Sequence, residues 1–462
     1  MNAGPAARGL SELLDRVARP YGEPPLPALP PESSPAYRAA VLARAIEEAR
    51  GALAAGVPAP EALAQRFTEA LARCIEQTMD PQRGDPAYQA LVLRQGAPAL
   101  REHLALAQGA AQDRRQLQRA VDGIAHPARP APSGALPRAA LAALHTQARA
   151  QDWPALRDTL RDWLSQPAVA ADAALAQRLR QLQASPALAR LLQWRAGEEG
   201  ALVRQHRALL QRQGPRAGSE QASSAGREAQ RRGDAVEARA RAGLQTWVDW
   251  LNQGAEPGRR WRVASGLQVP ASLCAGRQGA KTEWDVALLR EGAADAEGPV
   301  WDLCLLVEAK ASADAVAGDF ARLLQGLRLL AQAAPQAPQV FATAEGALRL
   351  SGASLAALPQ RGDALRQALL YVCDSPAGLA PRPLDPTSSA KLLGAPASVQ
   401  QAERCARGEA VQAQALLPVW RCLCEAPGWH GVLTQYARLR ELRGLMVRTA
   451  DLGEAVPKLA GD

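Results

Sequence analysis

Prolines decide where this chain can be helical. There are 35 of them, and they come in clusters. Pro20, Pro24, Pro25, Pro27, Pro30, Pro31 and Pro35 crowd residues 20–35. Proline fixes φ and removes a backbone donor, so this stretch is an extended connector, neither helix nor central strand. The residues before it, 1–19, read as an amphipathic helix, with Leu10, Leu13, Leu14 and Val17 at helical spacing. Pro58, Pro60, Pro81 and Pro86 interrupt the helical pattern of residues 36–106, and Pro127, Pro130, Pro132 and Pro137 close that block. Helices resume over 138–211, where Trp153, Leu156, Leu160 and Trp163 form one stripe that suits core packing. Residues 36–212 therefore read as a helical region, with surface for a protein partner. The polar stretch 213–227, with Gly214, Pro215, Gly218, Ser219, Ser223, Ser224 and Gly226, reads as a linker.

Composition narrows the class. Hydrophobic residues make up 47% and charged residues 22% of the 462, enough for packed cores and too apolar for whole-chain disorder. No apolar run reaches the roughly 18–20 residues that span a bilayer, and the first residues lack a signal-peptide core. The expectation is a cytoplasmic protein with no membrane partner. Seven scattered cysteines fit a reducing compartment. The net charge of +8 is a mild bias that permits an anionic partner. One detail is sharper: of 54 Lys and Arg residues only Lys281, Lys310, Lys391 and Lys458 are lysine. Where charge alone is needed this chain uses Arg, so each Lys invites a reason that Arg cannot supply.

The texture changes after residue 228. A helix is expected over 235–252, strands over 261–269, 284–289 and 300–307, a helix over 316–334, and short strands over 339–343 and 368–373. The turn-rich residues 291–299 suggest that the second and third strands form a hairpin. Residues 228–380 thus read as an α/β domain, followed over 385–462 by a C-terminal helical extension with helices at 398–417 and 432–447.

Two strand ends carry chemistry. The first reads Thr282-Glu283-Trp284-Asp285-Val286, the second Val307-Glu308-Ala309-Lys310. Glu308 and Lys310 are two apart and project to one face of a strand. If the hairpin forms, Asp285 lies beside Glu308. Two crowded carboxylates call for a cation. Mg²⁺ (or Mn²⁺) suits them, because it takes hard oxygen ligands and keeps several waters. A lysine beside such an ion can position the attacking water.

This pattern resembles the PD-(D/E)XK nuclease superfamily, the restriction-endonuclease-like fold. Asp285 matches its first acid, and Glu308-Ala309-Lys310 its acid-x-Lys. Gly233-Asp234-Ala235-Val236-Glu237 resembles the opening of that family's first core helix. Trp284 stands where the family's name has Pro. Gln325 matches the glutamine of the exonuclease branch, with Leu329 in that branch's Tyr position. The resemblance covers residues 230–375 and implies an α-β-β-β-α-β core. It also implies Mg²⁺-dependent hydrolysis of phosphodiesters in nucleic acid, with DNA preferred. Asp285, Glu308 and the Ala309 carbonyl would be metal ligands, Lys310 the water-positioning group, Glu237 an accessory carboxylate and Gln325 an accessory residue.

Arg231 and Arg232 just before the first core helix, and Arg259 and Arg260 at the first strand, are the expected phosphate contacts. A solvated helix face explains the first two equally well. Two other readings stand beside catalysis: a nuclease-fold protein that binds nucleic acid or protein without cutting, and a helical interaction scaffold. Cys405, Cys422, Cys424 and His430 match no zinc spacing, and no Gly-rich phosphate loop or nucleophile elbow is present.

Overall fold

The computed structural model describes residues 5–32, 34, 36–128, 135–214, 219–253, 255, 258–274, 279–312, 316–375 and 382–460. Two compact units result. One comprises Met1–Glu76, Arg216–Arg404 and Gly408–Asp462; the other comprises Gln77–Pro215 and Cys405–Arg407.

The first unit is mixed α/β, built on a seven-stranded sheet. Its strands are β1 (Trp261–Gln268), β2 (Glu283–Glu291), β3 (Trp301–Lys310), β4 (Gln339–Thr343), β5 (Gly346–Leu350), β6 (Leu369–Cys373) and β7 (Met446–Val447). β2 pairs antiparallel with both β1 and β3, so the expected hairpin is present. β6 runs parallel to β3, and β7 parallel to β6. The β4–β5 hairpin touches β1 at Gln268 and β3 at Trp301.

Both faces of this sheet are covered, which is why β3 and β6 read as near-continuous apolar runs. One face packs Leu306, Leu369 and Tyr371 against Phe320, Leu323 and Leu327 of helix Val316–Leu330. The other packs Val286, Leu305 and Val372 against Val236, Ala240, Leu244 and Trp247 of helix Glu220–Asn252. Helix Pro5–Arg16 adds Leu10, Leu13 and Leu14 to that second core, and the C-terminal helix Thr449–Ala460 adds Leu452. Trp247 Nε1 donates to the Leu452 carbonyl at 2.7 Å.

Several expectations change here. The N-terminal helix is no separate segment, because its leucines have no other apolar surface to cover. Tyr21 in the connector donates its hydroxyl to the Cys373 carbonyl at 2.8 Å. Helices Tyr37–Ala54 and Glu61–Met79 belong mostly to this unit, and Phe67 packs on Trp420 at 5.1 Å between ring centroids. The C-terminal segment is not an extension: Met446–Val447, expected as helix, adds an edge strand. Of the expected linker 213–227, residues 215–218 lie outside the described residues. The rest from Glu220 onward is helix, N-capped by Ser219. No residue of that helix before Val236 is buried, so its polar sequence marks a solvated helix.

The second unit is all helical. Prolines open helices Pro86–Gly96, Pro98–Ala125, Pro167–Ala171 and Pro186–Gly197, where a missing N–H costs nothing. Trp153, Leu156, Leu160 and Trp163 are buried together, as their spacing predicts. Among the described residues no helix of either unit is long and apolar enough to cross a membrane.

Candidate active site

The β2–β3 register pairs Val286 with Val307, which sets Asp285 and Glu308 beside each other at one end of the hairpin. Asp285 Oδ2 accepts the Ala309 N–H at 2.8 Å. Ala309 thus enters the site through its amide. Glu308 is 1% exposed and lies opposite Tyr371 of β6. Its Oε1 is 2.9 Å from Lys310 Nζ, and the same ammonium is 3.3 Å from Asp319 Oδ2 on helix Val316–Leu330.

A second lysine completes the cluster. Lys281 Nζ lies 2.5 Å from Glu308 Oε2 and 3.5 Å from Asp285 Oδ1. The short contact to Oε2 lacks the alignment of a hydrogen bond. Lys281 reaches this point because its segment is pinned to the helix, its N–H donating to the Arg322 carbonyl at 3.1 Å. Gly326 makes that approach possible. A Cβ there would stand 2.9 Å from the Lys281 carbonyl oxygen and 3.1 Å from the Trp284 ring. Strand pattern alone does not select Lys281 or Asp319, although the scarcity of lysine marks the former.

Burial raises the proton affinity of Glu308, and the Asp285 charge adds to it, against Lys281 and Lys310. Burial pulls the Lys310 pKa down, but Glu308, Asp285 and Asp319 outweigh it and the pKa rises. Lys310 is therefore a firmly charged ammonium at neutral pH. Glu237 has a raised pKa from burial, then from Asp285, Asp234, Glu283 and Glu308. It senses the site from a helix whose Val236 and Ala240 pack on the opposite face of the sheet from helix Val316–Leu330.

Among the described residues none of Gln325, Arg231, Arg232, Arg259 and Arg260 bonds to this cluster. Gln325 is exposed and its side chain makes no hydrogen bond among the described residues; its Oε1 faces Gly279. Arg232 pairs with Glu228 at 3.0 Å on an exposed face, and Arg231 is exposed beside it. Arg259 and Arg260 sit at the far end of the hairpin, because antiparallel pairing sets the start of β1 against the end of β2. The Glu291 N–H donates to the Arg260 carbonyl at 2.7 Å. Six residues of strand, about 20 Å, separate Glu291 from Asp285. These two arginines therefore lie at the end of the hairpin away from the acids, not beside them as expected.

Mg²⁺ asks for hard oxygens, commonly one or two carboxylates completed by water and phosphate. Asp285 Oδ1 and Glu308 Oε2 meet that requirement, since one ammonium already lies against both. No group of three acid, His or Cys side chains able to hold an ion occurs among the described residues, so Glu237 does not join them. The pair fits an ion provided Lys281 gives way.

The chain matches no known protein family, no curated protein and no solved structure.

Proposed function

We propose that the α/β unit is a PD-(D/E)XK-type nuclease that hydrolyses phosphodiester bonds in nucleic acid with Mg²⁺ or Mn²⁺, DNA being the first substrate to test. One observation carries the reading: Asp285 and Glu308-Ala309-Lys310, on separate strands, meet in a single hydrogen-bonded and ion-paired cluster. The order helix Glu220–Asn252, β1, β2, β3, helix Val316–Leu330 and, after the intervening β4–β5 hairpin, β6 parallel to β3, supports the restriction-endonuclease-like core.

The residues have distinct tasks in this reading. Asp285 and Glu308 would hold the ion, which when bound supplies Lewis-acid polarisation of a phosphoryl oxygen and a more acidic water. Asp285 also fixes the Ala309 amide, locking the two strand ends in register. Lys310 stays protonated, so it orients the water and stabilises developing negative charge; it is not the base. Asp319 holds the Lys310 ammonium in place.

The test is cleavage of supercoiled plasmid and of labelled linear DNA with and without each ion. Asp285→Ala serves as the control for contaminating nuclease. Ion-dependent cleavage by wild type and none by Asp285→Ala is the expected result. A second reading, nucleic-acid binding without cleavage, is favoured by one feature: Lys281 already pairs with both carboxylates. DNA binding with no cleavage under either ion would put that reading first.

A further inference from the structure

A second candidate site lies in the helical unit and is independent of the Asp285 cluster. It is an open groove of about 710 Å³ between helices Pro98–Ala125 and Arg138–Arg149. Arg114, Arg115 and Arg149 line it, against a single lining carboxylate, Asp122. That carboxylate is already engaged: Asp122 Oδ1 accepts from Gln118 Nε2 at 2.8 Å and lies 3.3 Å from His145 Nε2.

The arginines are not cancelled in this way. Among the described residues Arg114 is held by neutral partners only. It donates to the Ala110 carbonyl at 3.2 Å and to Gln151 Oε1 at 2.9 Å, and its guanidinium stands 6.0 Å from the centroid of Trp194. Arg115 and Arg149 have exposed side chains and no carboxylate partner among the described residues. Elsewhere in this unit arginines do find acids, as in Arg190–Asp113 and Arg207–Glu198, both at 2.5 Å. His126 Nδ1 accepts the Ala128 N–H at 3.2 Å, which leaves its Nε2–H as a further donor.

The backbone is strained where it serves this groove. Gln151 has φ 58°, and no other non-glycine residue described here has a positive φ. It ends helix Arg138–Arg149 in the left-handed conformation that glycine adopts at less cost. A glycine would lose the side chain that holds Arg114. Strain at a pocket-lining residue, retained for a side-chain contact, is a mark of a working site.

We infer that this groove binds a phosphoryl group. Three guanidinium groups line one groove against one engaged carboxylate, and a multiply charged oxyanion there can accept several charge-assisted hydrogen bonds. The volume suits a ligand of nucleotide size. The phosphoryl group comes either from a small phosphorylated molecule or from the phosphorylated end of a nucleic acid.

Calorimetric titration of the full chain at constant ionic strength tests this. The probes are inorganic phosphate, pyrophosphate, ATP, and oligonucleotides with a 5′-phosphate or a 5′-hydroxyl. Pyrophosphate should bind more tightly than phosphate. Arg115→Gln/Arg149→Gln should lower its affinity by about tenfold or more per guanidinium removed, with the melting temperature of the free protein unchanged. Gln151→Gly should raise that melting temperature and still weaken binding, a combination that a purely structural role would not give. ATP bound as well as any oligonucleotide assigns a small ligand; preference for the 5′-phosphorylated oligonucleotide over both its hydroxyl form and ATP assigns a nucleic-acid end. Absence of heat with every phosphoryl compound, or equal affinity in the double-arginine variant, overturns the inference.

Discussion

Replacing Lys281 by methionine isolates the cation shared by the two acids of the α/β unit. Methionine keeps much of the stem of a side chain that is 17% exposed, and removes the ammonium that touches both Asp285 and Glu308. Removing one partner of a buried ion pair costs about 3–5 kcal/mol when the other charge is stranded. Glu308 is not stranded, because Lys310 remains 2.9 Å from its other oxygen, and part of the loss is recovered if Glu308 takes up a proton. A loss of roughly 2–3 kcal/mol near neutral pH follows. Its pH dependence has a definite sign. Glu308 already has a folded-state pKa above its ordinary value, so its ionisation removes stability as pH rises through that folded pKa. Loss of the Lys281 charge raises that pKa further. The stability gap between wild type and Lys281→Met must therefore widen from about pH 5 to about pH 8. Divalent ions should reverse it. With the competing ammonium gone, Mn²⁺ should bind at least about tenfold more tightly, equivalent to about 1.4 kcal/mol. Urea unfolding at both pH values, and Mn²⁺ titration followed by electron paramagnetic resonance, measure the two effects. A gap that widens on acidification, or unchanged Mn²⁺ affinity, would refute the placement of Lys281 as the internal cation of this site.

The remaining predictions use the same geometry. Lys310→Arg should keep the fold but reduce Mg²⁺-dependent cleavage by roughly 10²-fold, because a bulky planar guanidinium cannot replace a compact ammonium between Glu308 and Asp319; equal cleavage rates would sink that role. Asp285→Asn should abolish ion-dependent turnover while still capping the Ala309 amide, so a urea midpoint close to wild type, with no activity, is expected in parallel plasmid and unfolding assays. Gly326→Ala should cost about 1–3 kcal/mol by overpacking against the Lys281 backbone. Unfolding with a wild-type midpoint would show that the segment is not pinned there.

The sequence makes the hairpin and its acids legible because these signals are local. An apolar run ending in Glu308-Ala309-Lys310, a turn-rich gap and a second run beginning near Asp285 leave little freedom in pairing. What it hides depends on distant partners. β7 has only Met446 and Val447, and it becomes a strand by pairing with Tyr371 and Val372 across many intervening residues. Helix Glu220–Asn252 looks like a linker in its first half because that half covers nothing. Arg259 and Arg260 are close to the acids in sequence, and strand direction takes them away.

Lysine scarcity supplies a final check on how much weight position 310 can bear. If rarity alone marked function, every lysine should sit at a site. Lys391 does not: it donates to the Gly428 carbonyl and stands 5.2 Å from the Trp429 ring centroid, a local tie between C-terminal helical segments. Rarity therefore selects candidates, and convergence decides among them. Lys281 precedes β2 and Lys310 ends β3, yet their ammonium groups meet opposite oxygens of one buried carboxylate. Desolvating that carboxylate is expensive, and two hydrophobic residues in place of the lysines would leave it uncompensated. An apolar residue at 308 would remove the expense altogether and suit the surrounding core. The chain instead keeps the acid and places two cations around it. That arrangement is costly to stability alone and well suited to holding, and yielding, positive charge at one point.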